Sequence, residues 1–150
     1  MRFLGMPTDR LGRVAPLLVR LIVGGIMTAH GWQKLNAGIP KFGTATLVPL
    51  GVPYPDVMAY VVTYTELIGG VLLIVGLLSR LAALALLIEL VTTISLVKVN
   101  VGLIAPAARG AGAELDLALI AGFLTILLAG PGLLALDGLL RIERSPRRLA

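Results

Sequence analysis

Glu66 stands in the middle of a long apolar run, and Arg20 and Glu89 stand inside two others. An ionisable side chain within lipid costs at least about 2.5–3.5 kcal/mol on the insertion scale, so each is a candidate for function. A carboxyl group held there can take up or release a proton, which makes Glu66 a candidate catalytic group. His30 and Lys34 lie four residues apart at the end of the first run, on one side of a helix. They are suited to hold an anion or a carbonyl oxygen, His30 as a second candidate catalytic group and Lys34 as a ligand-binding one. Arg20, Glu89, Asn100 and the adjacent Gly69 and Gly70 complete the candidate ligand-binding set. No metal site is expected, because one histidine supplies neither bis-imidazole haem ligation nor a typical metal centre. A plain alternative stands beside each role. Arg20 and Glu66 would serve equally as a structural ion pair, and His30, Trp32 and Lys34 as interfacial anchors.

The elements that must carry these groups follow from composition. Of 150 residues, 57% are hydrophobic and 14% charged. A soluble domain is about half apolar and roughly a quarter charged. The excess falls into four blocks, 14–35, 55–77, 81–103 and 115–136. About 20 apolar residues cross the hydrocarbon core as a helix, and lipid-exposed backbone tolerates little else. The blocks lack strand alternation, so the expected fold is all-α: a single domain over 1–150 forming an integral membrane antiparallel four-helix bundle. The first block is too long for a signal-peptide core and is read as a retained span. Arg2, Arg10, Arg13, Arg80, Arg141, Arg144, Arg147 and Arg148 fall on one side, against Lys41 and Arg109 on the other. That asymmetry predicts both termini in the cytoplasm and a place in the cell (inner or plasma) membrane. The basic residues sit at membrane edges without interleaved aromatics, which argues for membrane lipids rather than nucleic acid as their partner. With no cysteine, the chain itself holds no thiol relay, iron–sulfur cluster or thiolate haem.

Helical periodicity sorts the polar and small residues onto faces. The expected inward stripes are Arg20, Gly24, Met27, Gly31 and Lys34 on the first span and Ala59, Val62, Thr63, Glu66, Gly69, Gly70 and Leu73 on the second. They continue as Ala82, Ala85, Glu89, Thr92, Thr93, Leu96 and Asn100 on the third, and Glu114, Leu117, Ala118, Ala121 and Thr125 on the fourth. By depth, Arg20, Glu66 and Glu89 are expected to meet as a buried cluster. His30, Gln33, Lys34, Lys98 and Asn100 form an outer layer, with Lys98 directed outward. Between the first two spans, 41–50 is a short apolar piece expected to lie along the surface or tuck between helices.

The run RLIVGGIMTAHGWQKL (Arg20–Leu35) resembles the first span of the DoxX family. In order follow GVP from Gly51, ELIGG from Glu66, GLLSR from Gly76, Glu114, and GPGLLALD from Gly130 to Asp137. The resemblance covers nearly the whole chain. It implies a small four-helix membrane protein associated with quinone-linked oxidoreduction, thiosulfate:quinone oxidoreductase subunits among its relatives, or with complexes that answer oxidative or thiol stress. Carried over by position, the family residues are Arg20, His30, Gly31, Lys34, Glu66, Gly69, Gly70, Arg80, Glu114 and Asp137. The chain departs from the expected pattern at Lys98, in place of a histidine, and at Glu89, in place of an apolar residue.

Three functions compete. The first is a membrane subunit that binds quinone as its cofactor while a soluble or membrane redox enzyme supplies electrons. The second is a non-catalytic scaffold that recruits soluble redox enzymes. The third is a small transporter or proton channel, which in so narrow a bundle requires a homo-oligomer or proton-sized cargo.

Overall fold

The computed structural model describes residues 8–105, 112–140 and 142; Arg2, Arg109, Arg141, Arg144, Arg147 and Arg148 lie outside them. Among the described residues every regular element is helical: α1 (Thr8–Ala37), α2 (Ile39–Phe42), α3 (Pro55–Val75), α4 (Ser79–Leu96), α5 (Ala113–Ala129) and α6 (Leu136–Leu139). Three stretches are long and apolar enough to cross a membrane: Gly12–Ala37 within α1, and α3 and α4 entire. Ile22, Val61, Ile68, Leu81, Ile88 and Val91 project from them into the surroundings, as lipid-facing side chains do.

The helix ends have local causes. α3 starts on Pro55, whose missing N–H leaves nothing unsatisfied at a first helical position. Only Gly76, Leu77 and Leu78 separate α3 from α4, so the two run antiparallel and pack together. Two apolar runs outlast their helices. The third run was expected to 103, but α4 gives way at Val97 to a tight turn, Lys98–Asn100. The fourth was expected to 136, but α5 stops at Gly130, whose φ of 82° and ψ of −178° suit only glycine. Pro131 follows with no N–H to continue the ladder. At 17 residues α5 spans roughly 25 Å.

The four long helices pack in a cycle, α1 on α3, α3 on α4, α4 on α5 and α5 back on α1. Val23, Met27, Leu73, Leu86, Phe123 and Ile126 fill the middle. The closest approach is between α1 and α3, and glycine makes it possible. A Cβ on Gly70 would sit 2.5 Å from the Thr28 amide nitrogen and 2.7 Å from the Gly24 carbonyl; one on Gly31 would sit 2.5 Å from the Leu67 nitrogen. Because these obstacles are backbone, Gly70→Ala is expected to force the helices apart and cost roughly 1–3 kcal/mol. Thermal unfolding in lipid nanodiscs checks this. Gly25→Ala, whose Cβ would meet nothing within 4 Å, is the control and does not lower the midpoint.

The segment after α1 tucks inward rather than lying on the surface. α2 runs on into a π-helical turn, Gly43–Leu47, and Ile39 and Leu47 bury themselves against Ala59.

Candidate functional site

Buried polar groups gather at opposite ends of the bundle. At one end α1 and α3's partner α4 begin; at the other α1 and α4 finish while α3 and α5 start.

At the first end, Arg20 is 1% exposed and does not meet Glu66 and Glu89 as expected. Its Nη1 donates to the Pro131 carbonyl at 3.1 Å and its Nη2 to the Leu134 carbonyl at 3.2 Å. The Gly130–Gly132 break frees those carbonyls from helical partners, and a guanidinium with five donors satisfies several at once. Asp137, fully buried on α6, lends negative charge to Arg20. Its carboxylate accepts from the Leu78 amide at 2.7 Å and the Ser79 amide at 2.9 Å, capping α4. Arg20 and Asp137 thus form a clasp that ties α1, the α3–α4 link and the α5 exit together.

At the second end, the Lys34 ammonium on α1 donates to Oε2 of Glu66 on α3. Glu66 is 5% exposed, and the Phe42 ring lies 5.3 Å from Lys34 Nζ. Glu89 on α4 lies near enough to Glu66 and Lys34 to feel their charges. Its Oε2 is buried without a hydrogen-bond partner. Three helices therefore bring two carboxyl groups and one ammonium to one place, which leaves room for an exchangeable proton. Beside them opens a cavity of about 400 Å³ lined by His30, Gln33, Lys34, Lys41, Phe42 and Thr46, with Ala37 and Ala45. It combines an aromatic wall with nitrogen donors, and its size falls in the range of small-ligand sites.

Other expected residues lie elsewhere. Gly70 packs against the backbone of α1 and Gly69 against Leu86 of α4, so both let neighbouring helices approach closely. Lys98, in the turn that ends α4, is half-buried and close enough for its charge to act on Asp116. Asn100 closes that turn, and its side chain lies outside the described residues. On α5 the inward acid is Asp116, which the sequence reading passed over, and Glu114 is exposed. The signal was available: Asp116 shares one arc of the helix with Leu119, Gly122, Phe123 and Ile126, while Glu114 lies about half a turn away.

The DoxX family profile matches residues 15–99, which hold Arg20, His30, Lys34, Glu66 and Glu89. "Putative oxidoreductase CatD" of Bacillus subtilis is 33% identical over 127 residues, spanning 83% of this chain and 85% of its own. The "Uncharacterized membrane protein Rv3486" of Mycobacterium tuberculosis is 29% identical over 133 residues, spanning 84% and 81% respectively. No solved structure matches the chain. With its family match, its close relative and its apolar helices, the chain belongs to the DoxX family of membrane proteins.

Proposed function

We propose that this protein is the membrane subunit of a quinone-linked or oxidative-stress-related oxidoreductase system. The observation that carries the reading is the Lys34–Glu66 pair, with Glu66 buried and Lys34 lining a cavity that also holds the donors of His30, Gln33, Lys41 and Thr46. The oxidoreductase name of the Bacillus subtilis relative supports the reaction class. A quinone, when bound, supplies a carbonyl pair that gains two electrons and two protons together.

The chain's own residues divide that work. Phe42 and the alanines at 37 and 45 offer an apolar surface for a ring. His30 and Lys34 hydrogen-bond a carbonyl oxygen, and the Lys34 charge stabilises developing negative charge there. Glu66 and Glu89 hold the proton that is exchanged. Electrons come from a partner redox enzyme, since the sequence carries no thiol, iron–sulfur or flavin motif. In this reading α5 is a fourth, short span, the bundle sits in the cell membrane, and both termini face the cytoplasm with the cavity on the opposite side.

Lipid extraction tests it. Protein purified in mild detergent is expected to carry isoprenoid quinone in near-stoichiometric amount, and Glu66→Gln to lose most of it while keeping its helicity. Equal quinone in both, or none in either, contradicts the proposal.

A further inference from the structure

Beyond the α5 exit, Leu134, Leu136, Leu139, Leu140 and Ile142 all project outward. Backbone hydrogen bonds fix their depth. The Leu133 amide donates to the Arg13 carbonyl at 3.1 Å, and the Asp137 amide donates to the Gly76 carbonyl at 2.9 Å. The segment is therefore level with the first turns of α1 and the α3–α4 link. Arg13 and Arg80 are exposed at that level, and arginines so placed belong at the membrane surface rather than in the hydrocarbon. In the sequence, residues 141–150 add four arginines against one glutamate. Leu134 stands out within the patch. Its φ is 53°, a region where residues other than glycine are uncommon, and its side chain is 84% exposed. A leucine held there contributes nothing to the core, so its apolar surface is presented to something outside the bundle.

We propose that residues 134–142 form an interfacial seat for anionic phospholipid. The leucines enter the acyl layer just beneath the headgroups, and the arginines at that level attract the phosphates. Apolar side chains beside a cationic rim are what such a surface requires. A second copy of the chain is a poorer cover, because pairing two of these faces would bring like charges together. The seat also acts on the fold. The Leu134 carbonyl accepts from Arg20, and the Asp137 carboxylate accepts from the first amides of α4. Lipid that binds the seated segment therefore stabilises the clasp by mass action. The seat is at the opposite end of the bundle from the cavity, and it does not depend on quinone binding.

The test uses the full chain in nanodiscs of phosphatidylglycerol or of phosphatidylcholine. Trp32→Phe removes the only tryptophan, and Leu139→Trp adds one to the seat. Lipids brominated near the headgroup or at the acyl terminus report its depth. The introduced tryptophan is expected to emit with a blue shift and to be quenched more strongly by the shallow label. Should Leu139→Trp fail to fold by circular dichroism, Leu140→Trp reads the same surface. The unfolding midpoint of the wild type is expected to be several degrees higher in phosphatidylglycerol, with the gap shrinking in high salt as surface charges are screened. Leu139→Ser combined with Leu140→Ser is expected to lose most of that gap. Water-exposed emission, stronger quenching by the deep label, or equal midpoints in the two lipids overturns the seat. A blue shift that appears only with two copies in one disc also overturns it, in favour of a contact between chains.

Discussion

Lys34→Met is expected to be among the most destabilising single changes in this protein, costing about 3 kcal/mol, because breaking a buried ion pair leaves one charge uncompensated. The charge left behind is Glu66, 5% exposed in the middle of α3. Methionine fills much of the lysine volume, so lost packing contributes little. The double variant Lys34→Met with Glu66→Gln removes both charges and is expected to recover most of the loss. Denaturant titration in lipid nanodiscs for the two single variants and the double gives the coupling directly. A double variant no more stable than Lys34→Met would mean that the pair does not stabilise the fold.

Asp137→Ala is the second large effect, and it acts at the opposite end. Three losses coincide. The Leu78 and Ser79 amides lose the carboxylate that caps α4, an effect worth about 1 kcal/mol. Arg20, 1% exposed, loses the negative charge beside it. A cavity opens where a fully buried side chain stood. Together these are expected to cost about 2–4 kcal/mol, mostly from the Leu78 and Ser79 amides left without their acceptor. Asp137→Asn keeps the shape and one acceptor, and is expected to retain part of the cap without the charge. Lower thermal midpoints in the order alanine, asparagine, wild type check the account; equal midpoints for asparagine and wild type would show that Arg20 is held by the carbonyls alone.

The inward faces of α1 and α3 were legible in the sequence, that of α4 in part, and that of α5 not. On α1 and α3 the small residues Gly24, Gly31, Ala59, Gly69 and Gly70 share an arc with Arg20, Thr63 and Glu66, and the structure buries that arc. Close helix packing demands small residues there, so composition and contact agree. On α4, Ala82 of the expected stripe is buried and Glu89 half-buried, but Ala85 and Thr92 are exposed, and the buried face runs instead through Ser79, Ala82, Ala83, Leu86 and Leu90. On α5 the expected stripe through Leu117, Ala118 and Ala121 is the opposite face from the buried one. The cause is that hydroxyls in lipid need not face a core. Thr92, Ser95 and Thr125 each donate to the carbonyl four residues earlier, on Ile88, Val91 and Ala121, and so satisfy themselves on the outer surface. Leucine is equally content inside the bundle and against acyl chains, so hydrophobicity does not choose between faces.

The site was legible in its members and not in their pairing. Lys34, His30, Glu66 and Glu89 were all named from the sequence, but depth alone suggested Arg20 as the partner of Glu66. That partner is Lys34, because α1 approaches α3 through Gly31 and leaves Lys34 one turn further along, beside Glu66. Arg20 is drawn away by carbonyls that the Gly130–Gly132 break releases, and backbone acceptors carry no side-chain signal.

The measurement that bears most directly on the central claim is equilibrium binding of a short-chain quinone to the purified protein in lipid nanodiscs. Wild type is expected to show saturable binding at one site, competed by added isoprenoid quinone. Glu66→Gln, which releases Lys34 from its buried partner, is expected to weaken binding about tenfold or more, the equivalent of one charge-assisted hydrogen bond. No saturable binding to the wild type, or the same affinity in Glu66→Gln, would contradict the assignment of the Lys34–Glu66 centre as a quinone site.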